Sequence, residues 1–202
     1  MPSDVFVHPA GINESDQVGK GTRIWAFAHV LKGAVIGEQC NIGDHCFVET
    51  GARLGNGVTL KNGVSVWEGV TLEDFSFVGP NAVFTNDKFP RSPRLAAVSG
   101  RYADKRWLVG TTVRAGATIG ANAIIVCGVT IGCFAMVAAG ALVTRDVPDF
   151  VLAVGCPAEP AGYACLCGQR LPEGREPKCA SCGRSYRKEK SGLAPLFELR
   201  IG

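Results

Sequence analysis

A chain of 202 residues is long enough for one substantial domain and a small appendix, with a core that needs no disulfides. Glycine is abundant at 26 residues while aromatics make up only 8%, which argues against a helical bundle and for many turns with small residues packed between them. The formal charge of +3 argues against a general nucleic-acid surface, and most of the excess lies after Cys165, where eight Lys or Arg face four Glu.

The N-terminal stretch MPSDVFVHPAG has no basic start followed by an apolar run, so no secretory signal is expected and a cytoplasmic location follows. The nine cysteines then read as thiols or metal ligands rather than bridges.

From Phe6 every sixth residue is apolar: Ile12, Val18, Ile24, Val30 and onward to Val78 and Phe84, fourteen in unbroken phase. Four residues after most of these the chain is small or β-branched, as at Ala10, Thr22, Ala28, Ala34, Cys40, Cys46 and Ala52, with Asp16 and Lys88 as exceptions. The phase is lost after Phe84 and resumes at Val113, Ile119, Ile125, Ile131, Val137 and Val143. Neither a helix nor an alternating strand has a period of six, whereas hexapeptide repeats belong to parallel β-helices. Three such units close one triangular coil; the large aliphatic fills a corner of the interior, and the small residue sits where a longer one would overpack. The segment from 120 to 143 is long and uncharged enough to imitate a membrane span, but it obeys the six-residue phase and is assigned to the coil.

Positions eighteen apart should stack. One outward row then runs Asn13, Leu31, Glu49, Trp67, Thr85, and its neighbour Glu14, Lys32, Thr50, Glu68, Asn86. Trp67 on such a row calls for a ligand or a second subunit to cover it. The break in the repeat, VFTNDKFPRSPRLAAVSGRYADKRW, carries Asn86, Asp87, Arg91, Arg94, Arg101, Lys105 and Arg106. A long excursion from a compact repeat points to function, and guanidinium groups suit a diphosphate.

After about Tyr163 the sixes vanish. Cys165-x-Cys167-Gly and Cys179-x-x-Cys182-Gly supply two close thiol pairs, as a structural Zn2+ site requires, although one residue rather than two separates the first pair. Cys40 and Cys46 fall on small interior positions and read as core.

The units VIGEQCNIGDHCFV and TIGANAIIVCGVTIGCFAMVAAGALVTRDVP closely resemble the left-handed β-helix acyltransferases, over about residues 5 to 160. More narrowly, TRIWAFAHV, VWEGVTLED, GPNAVFTNDKFPRS and GANAIIVCGVTIG resemble sugar-nucleotide N-acetyltransferases that acetylate a 3-amino sugar carried on UDP or dTDP. The resemblance implies that this all-β chain is a left-handed parallel β-helix over 1–160; the break in the repeat makes an excursion loop at 85–112, and the two cysteine pairs make 161–202 a zinc-ribbon-like tail. It also implies a homotrimer with active sites between neighbouring prisms and acetyl-CoA as co-substrate; the six-residue phase of 120–143 argues against a membrane partner, and the charge balance against a nucleic-acid one.

An unprotonated amine is already a nucleophile, so holding it against the thioester and stabilising the oxyanion matter more than a strong base. Asn86 and His45 are the catalytic candidates; His29, Glu49, Trp67, Asp87 and Arg91 are candidates for binding the sugar nucleotide. Gly128, Ala139 and Arg145 are candidates along acetyl-CoA by family similarity. Where relatives commonly carry Arg or Lys to meet a CoA phosphate, this chain reads CPAEP with Glu159, so the phosphate would be met elsewhere, at Arg145 or in the basic tail. A second class of reading is a non-enzymatic binding or assembly protein, with the ribbon as the contact module and the β-helix as a trimeric scaffold. The tail's lack of interleaved aromatics disfavours it.

Overall fold

A computed structural model describes residues 4–189 and 192–199. Strands of mostly two or three residues recur on three faces of a prism, and among the described residues the coils pair in parallel: eight strands on the first face, seven on the second, five on the third. So short a strand is held by its ladder. Along the first face Arg23 pairs with Asn41, Asn41 with Thr59 and Thr59 with Phe77, one coil of eighteen residues at each step.

The sixth-residue aliphatics point inward. Ile24, Ile42, Leu60, Val78, Ile119 and Val137 stack under the first face, and Val30, Val48, Val66, Phe84, Ile125 and Val143 under the second, all at most 1% exposed. Each such side chain contributes about 1.5–3 kcal/mol relative to leaving it in water. Cys40 and Cys46 are buried in the small-residue places, and burial pushes the Cys46 thiol up to about 11.

The first coil corrects the expected phase. Phe6 and Ile12 are 44% and 53% exposed, and the residues in register with Ile24 and Val30 are Val7 and Asn13. The chain is one residue short between Asn13 and Val18, because Ser15 rather than Asp16 turns inward and donates its hydroxyl to the Ala34 carbonyl at 2.6 Å. Gly11, not Ala10, takes the preceding tight place, where a Cβ would lie 2.7 Å from the Trp25 carbonyl oxygen. The outward row through Glu49 accordingly begins at Glu14, whose N–H donates to the Val30 carbonyl at 2.8 Å, and not at Asn13.

Corners between faces need a left-handed residue. At the second-to-third corner this is always glycine where φ is positive, at Gly33, Gly51, Gly69 and Gly128, with φ from 83° to 88°. At the first-to-second corner Phe27, His45, Asn81 and Asn122 do the same at φ of 54–58°, so His45 owes its conformation to the fold.

The membrane-like run forms strands Ile124–Ile125, Thr130–Ile131, Met136–Val137 and Leu142–Val143. Among the described residues no helix is long and apolar enough to cross a membrane. The excursion leaves the coil after Phe84 and rejoins it at Thr111, with two short 3-10 turns, Ala96–Tyr102 and Lys105–Trp107, on the way. The last first-face strand, Val151–Val154, pairs antiparallel with Glu159–Tyr163, which leads into the tail. There Phe150, Cys165, Leu171, Cys179, Tyr186 and Leu193 form a second small core that reaches Phe134 and Tyr163.

Candidate active site

The second-to-third corner collects most of the expected residues at successive levels. Glu49 accepts the Glu68 N–H on Oε2 at 2.8 Å, and Asn86 Nδ2 donates to the Glu68 carbonyl at 3.4 Å. Trp67, one residue earlier on the same coil, donates its indole N–H to the Phe84 carbonyl at 3.0 Å, where the excursion departs. Its ring is half-buried against the core and tilted against Phe47, with centroids 5.6 Å apart. Part of the cover expected from a ligand is therefore supplied by the chain itself.

Along the outward side of the second face, His29 lies edge-on to Phe47 at 6.0 Å and pairs through Nε2 with Glu14 Oε1 at 2.8 Å. This contact lowers the Glu14 carboxyl below its ordinary value. His29, Phe47 and Trp67 thus make a ladder that ends at the neck of the excursion.

The neck is a short antiparallel pairing: Asp87 bridges to Leu108, and the Val109 N–H donates to the Asn86 carbonyl at 2.9 Å. Lys105 crosses back to Glu68 Oε1 at 2.5 Å. Asp87 is the hub. It accepts the Tyr102 hydroxyl at 2.9 Å, the Phe89 N–H at 3.0 Å and an Arg101 N–H, so its carboxylate is spent on holding the excursion together. Arg91 lies at the exposed edge of the excursion, its guanidinium on the Pro90 carbonyl and its N–H on the Tyr102 hydroxyl. The cationic cleft lies instead between Lys88, Phe89, Arg101, Arg106, Trp107 and Val109, with about 400 Å³ of space. Arg101 Nε is buried there without a hydrogen-bond partner among the described residues. Sequence reasoning missed this cleft because its walls come from both ends of an aperiodic segment.

His45 does not join Asn86 within one chain. It sits at the other edge of the second face, between strands Asn41–Ile42 and Phe47–Val48, stacked on Phe27 at 4.9 Å. The acetyl-CoA candidates divide in the same way. Gly128 donates its N–H to Gly110 and stands on the second-to-third corner, as does Arg145, which precedes the Val147–Ile131 pairing. Ala139 lies on the first-to-second corner, packed over Gly120, where a Cβ would come 2.4 Å from the Ala139 nitrogen. Arg145 is ion-paired with Glu159. The one acidic departure from the family pattern thus sits on the cation expected to compensate for it.

In the tail, ligand atoms of Cys165, Cys167, Cys179 and Cys182 all lie within 4.8 Å of one another, with Cys165 and Cys182 sulfurs 3.5 Å apart and Cys167 and Cys179 sulfurs 3.6 Å apart. Four sulfurs at about 2.3 Å from a tetrahedral ion would be about 3.8 Å from one another, so the cluster fits a zinc site. The Tyr186 hydroxyl lies 3.1 Å from the Cys165 sulfur and accepts the Leu166 N–H, an arrangement that orients one ligand from behind.

Residues 17–50 match the family described as bacterial transferase hexapeptide (six repeats), and residues 110–145 match the hexapeptide repeat of succinyl-transferase. The chain is 49% identical over 182 residues to the dTDP-3-amino-3,6-dideoxy-alpha-D-galactopyranose 3-N-acetyltransferase of Aneurinibacillus thermoaerophilus, covering 90% of each chain. Among solved structures, the acetyltransferase domain of PglB from Neisseria gonorrhoeae is 22% identical with a TM-score of 0.46, over 78% of this chain and 55% of that one, so the present chain spans about half of its length. A mutant of AntD, an N-acyltransferase from Bacillus cereus in complex with dTDP and Coenzyme A, is 17% identical with a TM-score of 0.47, over 80% and 82% of the two chains. Identity near one half along nine-tenths of both sequences decides membership: the chain belongs to the hexapeptide-repeat N-acetyltransferase family that contains the Aneurinibacillus enzyme, and it is an acyltransferase.

Proposed function

We propose that the chain transfers the acetyl group of acetyl-CoA to the 3-amino group of a dTDP-linked 3-amino-3,6-dideoxyhexose, in the cytoplasm, for cell-surface glycan synthesis. The observation that carries this reading is the 49% identity to an enzyme named for that reaction. The same identity favours dTDP over UDP.

The division of candidates between two edges of the second face supports a homotrimer. Within one chain, Asn86, Gly128 and Arg145 share one corner while His45 and Ala139 share the other. A cleft between neighbouring prisms would set Asn86 of one subunit opposite His45 of the partner subunit. The Asn86 amide then donates to the sugar or to the thioester carbonyl, whose oxygen gains charge as the amine attacks. The imidazole takes the proton that the amine sheds. Release of CoA thiolate completes the transfer. The cleft of Lys88, Arg101 and Arg106 is the proposed seat of the diphosphate, flanked by Phe89 and Trp107 for the base. Arg91, at the exposed edge, closes over it.

We also propose that Cys165, Cys167, Cys179 and Cys182 hold a structural Zn2+, which supplies a crosslink for a ribbon that, among the described residues, contributes only five buried residues to the core it shares with Phe150. Thiol release from acetyl-CoA tests the reaction. It should depend on a dTDP-linked 3-amino sugar and be weaker with the UDP-linked one. Absence of acceptor-dependent release, together with salt-sensitive nucleic-acid binding, would favour the scaffold reading instead.

A further inference from the structure

Between the last strand pair and the ribbon lies a cleft of about 750 Å³, lined among others by Pro160, Tyr163, Arg170, Glu173, Arg175 and Lys188. That volume falls within the range of about 300–1,000 Å³ that small-ligand sites occupy. Three cations face one carboxylate. Arg170 is braced by donating from Nη2 to the Ala161 carbonyl at 2.8 Å, and Lys188 Nζ lies 5.7 Å from the centre of the Tyr163 ring. The neighbouring Arg187 is neutralised by Glu176 at 3.0 Å, whereas Arg175 and Lys188 have no carboxylate within ion-pair distance among the described residues. The Lys188 N–H donates to the Arg175 carbonyl at 2.8 Å, which holds the two cations on adjacent backbone.

The cleft begins where the prism's own cation is cancelled. Glu159, paired with Arg145, opens the strand Glu159–Tyr163, and Pro160 next to it lines both this cleft and the small cavity beside Arg145. Arg145, the cation that the coil offers beside Pro160, is thus already neutralised by Glu159, whereas Arg175 and Lys188 across the same proline are not ion-paired among the described residues.

Resting on the acetyl-CoA reading above, we infer that the ribbon cleft binds the nucleotide end of acetyl-CoA, with Arg175 and Lys188 on its 3′-phosphate and Tyr163 beside the adenine. The ribbon then does more than cap the coil: it replaces the cation that Glu159 removes.

The test compares binding of CoA and 3′-dephospho-CoA by calorimetry, with the full-length protein and an Arg175→Ala, Lys188→Ala double variant. The wild type should favour CoA by about tenfold or more, as two charge-assisted contacts imply. The double variant should bind both within about twofold, and adding Glu159→Lys to it should restore much of the preference. Thermal midpoints of all three proteins separate loss of fold from loss of recognition, and Arg175→Glu alone, at an exposed position, serves if the double variant does not fold. Equal preference in wild type and variants, or no preference in the wild type, overturns the inference while leaving acetyl transfer intact. Failure of the wild type to bind either form overturns the acetyl-CoA reading with it.

Discussion

Tyr102 donates its hydroxyl to Asp87 Oδ2 at 2.9 Å, and in doing so ties the far side of a long excursion to the two residues through which it leaves the prism. Arg101 and the Phe89 N–H converge on the same carboxylate, whose side chain is only 9% exposed. Asp87→Ala removes all three acceptor contacts at once and leaves Arg101 without its counter-charge. Hydrogen exchange over residues 88–106 should quicken by about tenfold or more, as hydrogen bonds to a charged group imply. The thermal midpoint of the prism should move little, because no core residue is touched. Tyr102→Phe should show the same effect more weakly.

The two edges of the second face give a prediction that a single-chain site would not. Asn86→Ala should lower kcat/KM by about 10² to 10³ if it stabilises the developing oxyanion. His45→Ala should cost at least about tenfold by loss of the proton acceptor. Mixed trimers refolded from the two variants should regain activity above either parent, since some clefts would then draw both intact residues from different subunits. Mixed and parent samples of equal activity would place the two residues in one subunit's site or in none.

Most of the prism is written in the chain. The six-residue phase from Val18 to Phe84 and from Val113 to Val143 places each aliphatic inside, because only a three-sided coil turns every sixth residue inward. The phase fails at Phe6 and Ile12, where neighbouring apolar residues, Phe6 beside Val7, leave two registers open and the buried Ser15 decides between them. Stacking arithmetic also brings Glu49, Trp67 and Asn86 to one corner. What it lacks is the pairing of Asp87 with Arg101 and Tyr102, of Lys105 with Glu68 and of Arg145 with Glu159. These contacts join segments with no common period, so spacing carries no trace of them. The four cysteines were legible for the opposite reason: thiols at close spacing need no period to be recognised.

Thiol reactivity separates the two populations of cysteine. Burial raises the Cys40 thiol and holds Cys46 at about 11, against an ordinary value of 9.0, while Cys156 is exposed. At pH 8 iodoacetamide should label Cys156 and leave Cys40 and Cys46 unmodified, as read by peptide mass spectrometry. The raised pKa of Cys46 means that the native state keeps its proton where the unfolded chain gives it up. Stability should therefore be unaffected by this group below about pH 9 and fall as the pH rises towards 11.

Metal content tests the ribbon. The purified protein should carry one zinc per chain by elemental analysis, and a chelator should lower the unfolding temperature of the tail without collapsing the prism. Because thiolates bind the ion in competition with protons, zinc should be lost as the pH falls, not as it rises. Cys182→Ser should weaken retention of the metal. A protein purified without metal whose tail melts at the same temperature as a zinc-supplemented sample would refute the crosslink.

The most direct measurement is the structure of the product. Purified protein would be incubated with acetyl-CoA and a dTDP-linked 3-amino-3,6-dideoxyhexose, and the sugar nucleotide examined by mass spectrometry and NMR. The expected result is a gain of one acetyl group as an amide at C3, formed stoichiometrically with free CoA and lost in Asn86→Ala. An unchanged sugar nucleotide, or an acetyl group found on a hydroxyl, with the prism demonstrably folded, would contradict it.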